Sequence, residues 1–315
     1  MEKRQLGTTG LHMYPIAFGG NVFGWTIDQN KSFEILDAFT GAGFNFIDTA
    51  DVYSRWAPGN ASGESEAIIG NWLRERNNRS EVIIATKVGS DMGDSKKGLK
   101  KDYIIQAAEA SLKRLKTDYI DLYQTHFDEE STPVQETLEA YQQLIKDGKV
   151  RYIGTSNMSP ERIKESLQTS QEHGLPLYET LQPHYNMLDR QGYESTYEQL
   201  ALANNLGVIP YFSLASGFLT GKYRTKEDLG KSARGGDMDK NFNERGFRIL
   251  AALDKVAAQY NATPTTVALA WLINRPSITA PIVSATSISQ LDSLIAAPKL
   301  SLTAEDVAFL TQESK

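Results

Sequence analysis

Four residues of this chain have the types needed to place a proton on a carbonyl oxygen: Asp48, Tyr53, Lys87 and His126. A free tyrosine phenol titrates near ~10, too high for acid–base work at neutral pH. A neighbouring ammonium favours the phenolate and can lower that value by ~1–3 units. Lys87 can supply the cation, and Asp48 can keep Lys87 protonated and aimed. His126 can then hydrogen-bond a substrate oxygen, which completes a tuned proton donor over a carbonyl. The set brings neither a nucleophile nor a metal, so something else must bring the electrons, and a nicotinamide hydride is the natural complement. The blander alternative is a structural Asp48–Lys87 ion pair beside a hydrogen-bonded histidine.

These residues can act together only if the fold converges them. Short apolar, β-branched runs at 15–19, 44–48, 82–87, 119–124, 150–155, 178–182, 207–212 and 278–283 read as strands. They show little alternation, as expected of parallel strands buried on both faces. Helical patterns lie between them at 31–42, 64–75, 102–115, 133–147, 159–173, 194–206, 246–260 and 288–296. Thr132-Pro133, Ser159-Pro160 and Thr263-Pro264 each read as an N-cap followed by proline at the first helical position. Eight βα units with no linker between them predict one closed (β/α)8 TIM barrel spanning 1–315. Residues 3–14 read as a hairpin plugging the barrel bottom. The Gly-rich stretch 217–245 reads as a long loop after strand 7, and 303–313 as a terminal helix.

The active face of such a barrel is at the carboxyl ends of its strands. Asp48, Lys87, His126, Ser156, Asn157, Gln182, Tyr211 and Ser284 all fall at those ends, and Tyr53 follows Asp48 by five positions. An acid, an ammonium and an imidazole on three successive strands favour the chemical reading.

Composition bounds the rest. The 315 residues contain no cysteine, which removes disulfides, thiolate metal sites and cysteine nucleophiles. Lys+Arg is 33 against Asp+Glu 39, a net charge of −6, which argues against nucleic acid or an anionic membrane as partner. Four histidines leave little for a His-rich metal site. The N-terminus has no apolar run of the secretory type, and no stretch approaches ~18 consecutive apolar residues. A cytoplasmic location is the expectation.

The segments Gly43–Tyr53 with Gly63-Glu64-Ser65-Glu66, Asp118–Tyr123 leading to His126, Gly148–Asn157, and Tyr211–Tyr223 resemble, in that order, four signature regions of the aldo-keto reductase family. The resemblance covers almost the whole chain. It implies reversible NAD(P)H-dependent reduction of a small-molecule aldehyde or ketone. Tyr53 would be the general acid, Lys87 and Asp48 its tuning pair, and His126 the orienting group. Ser156, Asn157 and Gln182 would hold the nicotinamide carboxamide, and Tyr211 would stack on the ring. Leu214, Ser216, Gly217 and Lys222 would follow the pyrophosphate. The family's usual basic residue for an adenosine 2′-phosphate is missing from Val283–Leu291, where Ser284, Thr286 and Gln290 stand instead, and Leu294 replaces the family's Asn. NADP(H) is the family expectation, with NAD(H) the alternative.

Phe23, Trp25, Trp56 and Phe127 lie in loops after strands 1, 2 and 4, where aromatic side chains can line an apolar substrate pocket or pack beneath a loop. Gly217–Lys222 looks like a shortened P-loop, but Tyr223 stands where a Ser or Thr would hold magnesium. Two other functions compete. The family resembles potassium-channel beta subunits, so a nucleotide-binding regulatory subunit is the alternative. A Schiff-base lyase on Lys87 would need a depressed lysine pKa, and Asp48 works in the opposite direction. Oligomeric state is not legible in the sequence.

Overall fold

The computed structural model describes residues 2–93, 97–231 and 235–315. Its strands are β1 (Arg4–Gln5), β2 (His12–Met13), β3 (Ala17–Gly19), β4 (Phe46–Asp48), β5 (Ile83–Val88), β6 (Ile120–Thr125), β7 (Val150–Ser156), β8 (Tyr178–Gln182), β9 (Gly207–Val208) and β10 (Ile282–Val283). Its helices are α1 (Gln29–Gly41), α2 (Glu64–Arg76), α3 (Lys101–Leu115), α4 (Val134–Lys146), α5 (Pro160–His173), α6 (Gln191–Glu194), α7 (Glu198–Ala203), α8 (Glu244–Tyr260), α9 (Pro264–Ile273), α10 (Ile288–Ala296) and α11 (Ala304–Glu313).

Strands β3 to β10 pair in parallel in the order β10-β3-β4-β5-β6-β7-β8-β9. The two ends of that order are joined by Thr279 N donating to Val208 O (2.9 Å) and Ile282 N to Pro210 O (2.9 Å). The result is the (β/α)8 barrel. The runs expected at 207–212 and 278–283 form shorter ladders because Pro210 and Pro281 have no N–H to donate. The chain still follows its neighbours there: Ile209 N bonds Leu181 O, and Tyr211 N bonds Pro183 O.

The hairpin β1–β2 closes the bottom. Leu6, Leu11 and Met13 pack with Phe46, Ala85 and Leu122 inside the barrel. Gly7 is required at its tip. It sits at φ +58, and a Cβ there would lie 2.4 Å from Glu179 O and 2.8 Å from Gly207 N. Going up each strand by two residues keeps the same inward face. The inward residues change from apolar to polar over that step: Phe46 to Asp48, Ala85 to Lys87, Leu122 to Gln124. The barrel therefore has an apolar floor and a charged upper layer.

Outside the strands, Ile47, Ile84, Tyr123, Ile153 and Leu181 pack against the helical ring. Helix α9 is buried on every side, so it has no apolar stripe; its cap was legible, its span was not. The caps Ser159 and Thr263 accept from Arg162 N and Thr266 N. Thr132 is not a cap: Pro133 itself takes that position, and Thr132 Oγ1 bonds Glu129 instead. The helix expected over 194–206 is two short helices, ended by the left-handed backbone of Asn205 (φ +52). Within 217–245 the described part is 3-10 turns at Ala215–Thr220, Lys226–Lys231 and Gly235–Asn241; residues 232–234 of that loop lie outside the described residues. Among the described residues no helix is long and apolar enough to cross a membrane.

Candidate active site

Asp48 ends β4, Lys87 lies near the end of β5, and the β4–β5 ladder sets Asp48 opposite Ala85. Their side chains meet inside the barrel. Lys87 Nζ donates to Asp48 Oδ2 (2.7 Å), to Thr49 O (2.7 Å) and to the Tyr53 hydroxyl (3.1 Å). Those three bonds use every proton of the ammonium. The pair is sealed from solvent, with Lys87 at 0% and Asp48 at 1% exposure. Burial works against the Lys87 charge, but Asp48 and Tyr53 outweigh it and raise the lysine pKa. A raised pKa works against the free amine that a Schiff-base lyase needs.

Asp48 is held from its other side as well. Its Oδ1 accepts from Gln182 Nε2 (2.9 Å) and Gln124 Nε2 (3.3 Å). Gln182, expected at the cofactor, is thus bound to the Asp48 carboxylate in this structure. Gln124 was not singled out in the sequence, although its place two residues above Leu122 on the inward face is a signal that could have found it.

Tyr53 stands on a turn that the neighbouring segments pin. Tyr53 N bonds Ala50 O, Ser54 Oγ donates to Phe23 O (2.5 Å), and Asn60 Nδ2 donates to Ser54 O and Gly24 O (2.8 Å each). Ser65, in the Gly-Glu-Ser-Glu segment, bonds Thr49 Oγ1 and Gly20 O, so the start of α2 fixes the Thr49 carbonyl that Lys87 uses. Glu66 is also buried and takes Thr86 Oγ1 and Arg114.

His126 follows β6, its N–H held by Val88 O (2.7 Å), and its ring centroid lies 6.0 Å from that of Tyr53. Protein packed around the ring strips water from an imidazolium, and the Lys87 charge adds repulsion; together they hold the His126 pKa well below its usual value. The neutral ring has Nδ1 buried without a partner among the described residues. A buried orphan acceptor is better tolerated than a buried orphan donor, which assigns the proton to Nε2. Because the folded pKa is depressed, the unfolded chain takes up a proton first as pH falls below ~6.5. Stability from neutral His126 is complete above that value and declines below it, by at most about 1.4 kcal/mol per pH unit. Urea melts at pH 7, 6 and 5 should show a shallower acid decline in His126→Gln than in the unsubstituted protein; equal slopes would refute a depressed His126 pKa.

The expected cofactor residues form a connected strip beside this centre. Ser156 Oγ donates to Gln182 O (2.9 Å), Asn157 Nδ2 to His126 O (2.9 Å), and the Tyr211 hydroxyl to Asn157 Oδ1 (2.8 Å). Leu214 precedes the left-handed Ala215, Ser216 and Gly217, whose φ values are +48, +55 and +101. A Cβ on Gly217 would sit 3.5 Å from Lys222 Nζ. Bare backbone beside an ammonium suits a phosphate. Further round, Ser284 Oγ lies 2.7 Å from Gly19 O and from Asn21 Oδ1, while Thr286 N and Oγ1 both bond Gln290 Oε1.

The four expected pocket aromatics separate. Phe23 is fully buried and stacks on Phe18 at 5.5 Å, so it belongs to the core rather than the pocket. Trp25 and Trp56 meet edge-to-face at 5.6 Å, Trp56 reaches Tyr53 at 6.0 Å, and Phe127 stacks on His126 at 4.9 Å. Trp56 and Phe127 are about half exposed.

Comparison with known proteins agrees with this architecture. The profile of the Aldo/keto reductase family matches residues 15–314. The chain is 33% identical to the Bacillus subtilis "Aldo-keto reductase YhdN" over 97% of its own length and 91% of that protein's. It is also 33% identical to the B. subtilis "Uncharacterized oxidoreductase YrpG" (98% and 95%) and to an Arabidopsis thaliana "Probable voltage-gated potassium channel subunit beta" (92% and 89%). With a profile match from the first barrel strand to the last helix, the chain belongs to the aldo/keto reductase family of oxidoreductases.

Proposed function

We propose that this protein reduces aldehydes or ketones to alcohols with NAD(P)H, and runs in reverse toward alcohol oxidation. The observation that carries the reading is the Lys87 ammonium bonded at once to Asp48 and to the Tyr53 hydroxyl. A hydrogen-bond donor on the phenol oxygen stabilises the phenolate that remains after proton transfer. Tyr53 therefore hands its proton to the carbonyl oxygen while Lys87, kept charged by Asp48, stays still. His126, neutral with its proton on Nε2, donates a hydrogen bond to the same oxygen and cannot itself compete as an acid at neutral pH. A reduced nicotinamide, when bound, supplies the hydride to the carbonyl carbon.

Ser156, Asn157 and Gln182 would hold the carboxamide, and Tyr211 would carry the ring. Ser216, Gly217 and Lys222 would follow the pyrophosphate, which the bare backbone of Gly217 beside the ammonium suits. Val283–Leu291 offers hydroxyls and an amide, without lysine or arginine, for a 2′-phosphate. NADP(H) is the expected cofactor on family grounds and NAD(H) the alternative. Trp25, Trp56 and Phe127 favour a substrate with an apolar face near the carbonyl.

The test is a titration of the protein's fluorescence with NADPH and NADH, followed by a carbonyl panel with the tighter cofactor. Turnover on the panel is the expected result. Binding of neither nucleotide would overturn the reading. Tight binding with no turnover would favour a nucleotide-binding regulatory subunit; the Arabidopsis relative is named a probable voltage-gated potassium channel subunit beta.

A further inference from the structure

The loop after β8 is tied to the segment after β9 by groups the proposed chemistry does not use. Asn186 is fully buried and satisfied four times. Its Nδ2 donates to Asp189 Oδ2 (3.0 Å) and Phe212 O (3.0 Å), and its Oδ1 accepts from Leu188 N (2.8 Å) and Asp189 N (3.0 Å). The bond to Phe212 O anchors a residue at φ +57, a backbone conformation unusual for a bulky side chain. Asp189 in turn accepts from His184 Nε2 at 3.2 Å. The His184 ring lies nearly parallel to Tyr211, with centroids 5.4 Å apart and planes 20° apart.

Tyr211 needs such support. A cavity of about 950 Å³ opens against both rings, so core packing does not fill the space beside them. The Tyr211 hydroxyl is tethered to Asn157, which fixes one end of the ring and leaves its tilt free. A stacked neighbour locked by a carboxylate restricts that tilt. We infer that His184, aimed by Asp189 and Asn186, is a positioning residue that sets the plane of the Tyr211 ring and so the seat of the nicotinamide. This rests on the reading of Tyr211 as the nicotinamide platform.

The claim separates the two halves of the cofactor. His184→Ala should raise the Kd of the tighter dinucleotide roughly threefold to tenfold, the factor expected of one aromatic stack. The Kd of the adenosine half alone, measured with 2′,5′-ADP for NADP(H) or AMP for NAD(H), should stay unchanged. His184→Phe keeps a ring without the Asp189 bond and should recover only part of the lost dinucleotide binding; full recovery would remove Asp189 from the inference. His184 is exposed, so neither change removes a core contact. Equal weakening of the adenosine fragment, or an unchanged dinucleotide Kd, would overturn the inference. So would a His184→Phe variant as weak as His184→Ala, because the stack would then not be the cause. If the unsubstituted protein binds neither dinucleotide, the reductase reading fails; if it binds and His184→Ala changes nothing, only this inference fails.

Discussion

Tyr53→Phe should lower kcat by about 10²–10⁴-fold, the range a positioned general acid contributes, and leave the Kd of the cofactor unchanged. The substitution removes one hydroxyl and keeps the ring that contacts Trp56 and His126. Lys87 loses one of three acceptors and retains Asp48 and Thr49 O, so the buried pair stays charged and bound. The strip from Ser156 to Tyr211 is held by bonds to Gln182 O, His126 O and Asn157 Oδ1, which the substitution leaves in place, and this is why binding should survive. Stopped-flow reduction of any carbonyl that the unsubstituted protein turns over measures the chemical step directly. A variant that kept full activity would remove Tyr53 as proton donor.

Lys87→Met should be damaging in two ways at once. Turnover falls because the phenol loses its cationic partner. Stability falls as well, by about 3–5 kcal/mol, because Asp48 is left as an uncompensated buried carboxylate. The two effects can be separated with a second substitution. Asp48→Asn combined with Lys87→Met removes the stranded charge and should recover much of the stability, while activity stays lost. Urea denaturation of the single and double variants measures this. A double variant no more stable than Lys87→Met alone would mean that the ion pair is not the source of the loss. The pH dependence points the same way. Since the folded lysine pKa is raised, the contribution of the Lys87 charge is complete below ~10.5, the unfolded value, and is lost as pH rises through the higher folded value. Acid titration of Lys87 therefore plays no part in the working range.

Much of this site is legible in the sequence. Polar residues following apolar runs marked the strand tops, and eight such runs separated by helical patterns called for a closed barrel. Asp48 and Lys87 stand out because an inward-facing charge at the top of a parallel strand conflicts with the apolar character of the run beneath it, and His126 because a polar ring follows the next such run. Residues that obey the local pattern gave no such conflict. Phe23 looked like a loop aromatic and proved to be a core ring. Gln124 looked like one more strand residue and proved to hold Asp48. His184 carried no motif, and its role came from its stack on Tyr211.

The amino-acid order by itself determined most of the elements: periodicity chose strand or helix except at the fully buried α9, Ser159-Pro160 and Thr263-Pro264 started helices, and Pro210 and Pro281 interrupted ladders. These are interactions among near neighbours, which any chain of this order carries with it. Only the tertiary structure decided the partners. Lys87 meets Asp48 across 39 positions, and Gln124 and Gln182 meet the same carboxylate across 76 and 134. The β4–β5 ladder brings Lys87 to Asp48, while Gln124 and Gln182, two and four strands further on, reach the same carboxylate because barrel closure turns the inward faces of separate strands into one shared interior.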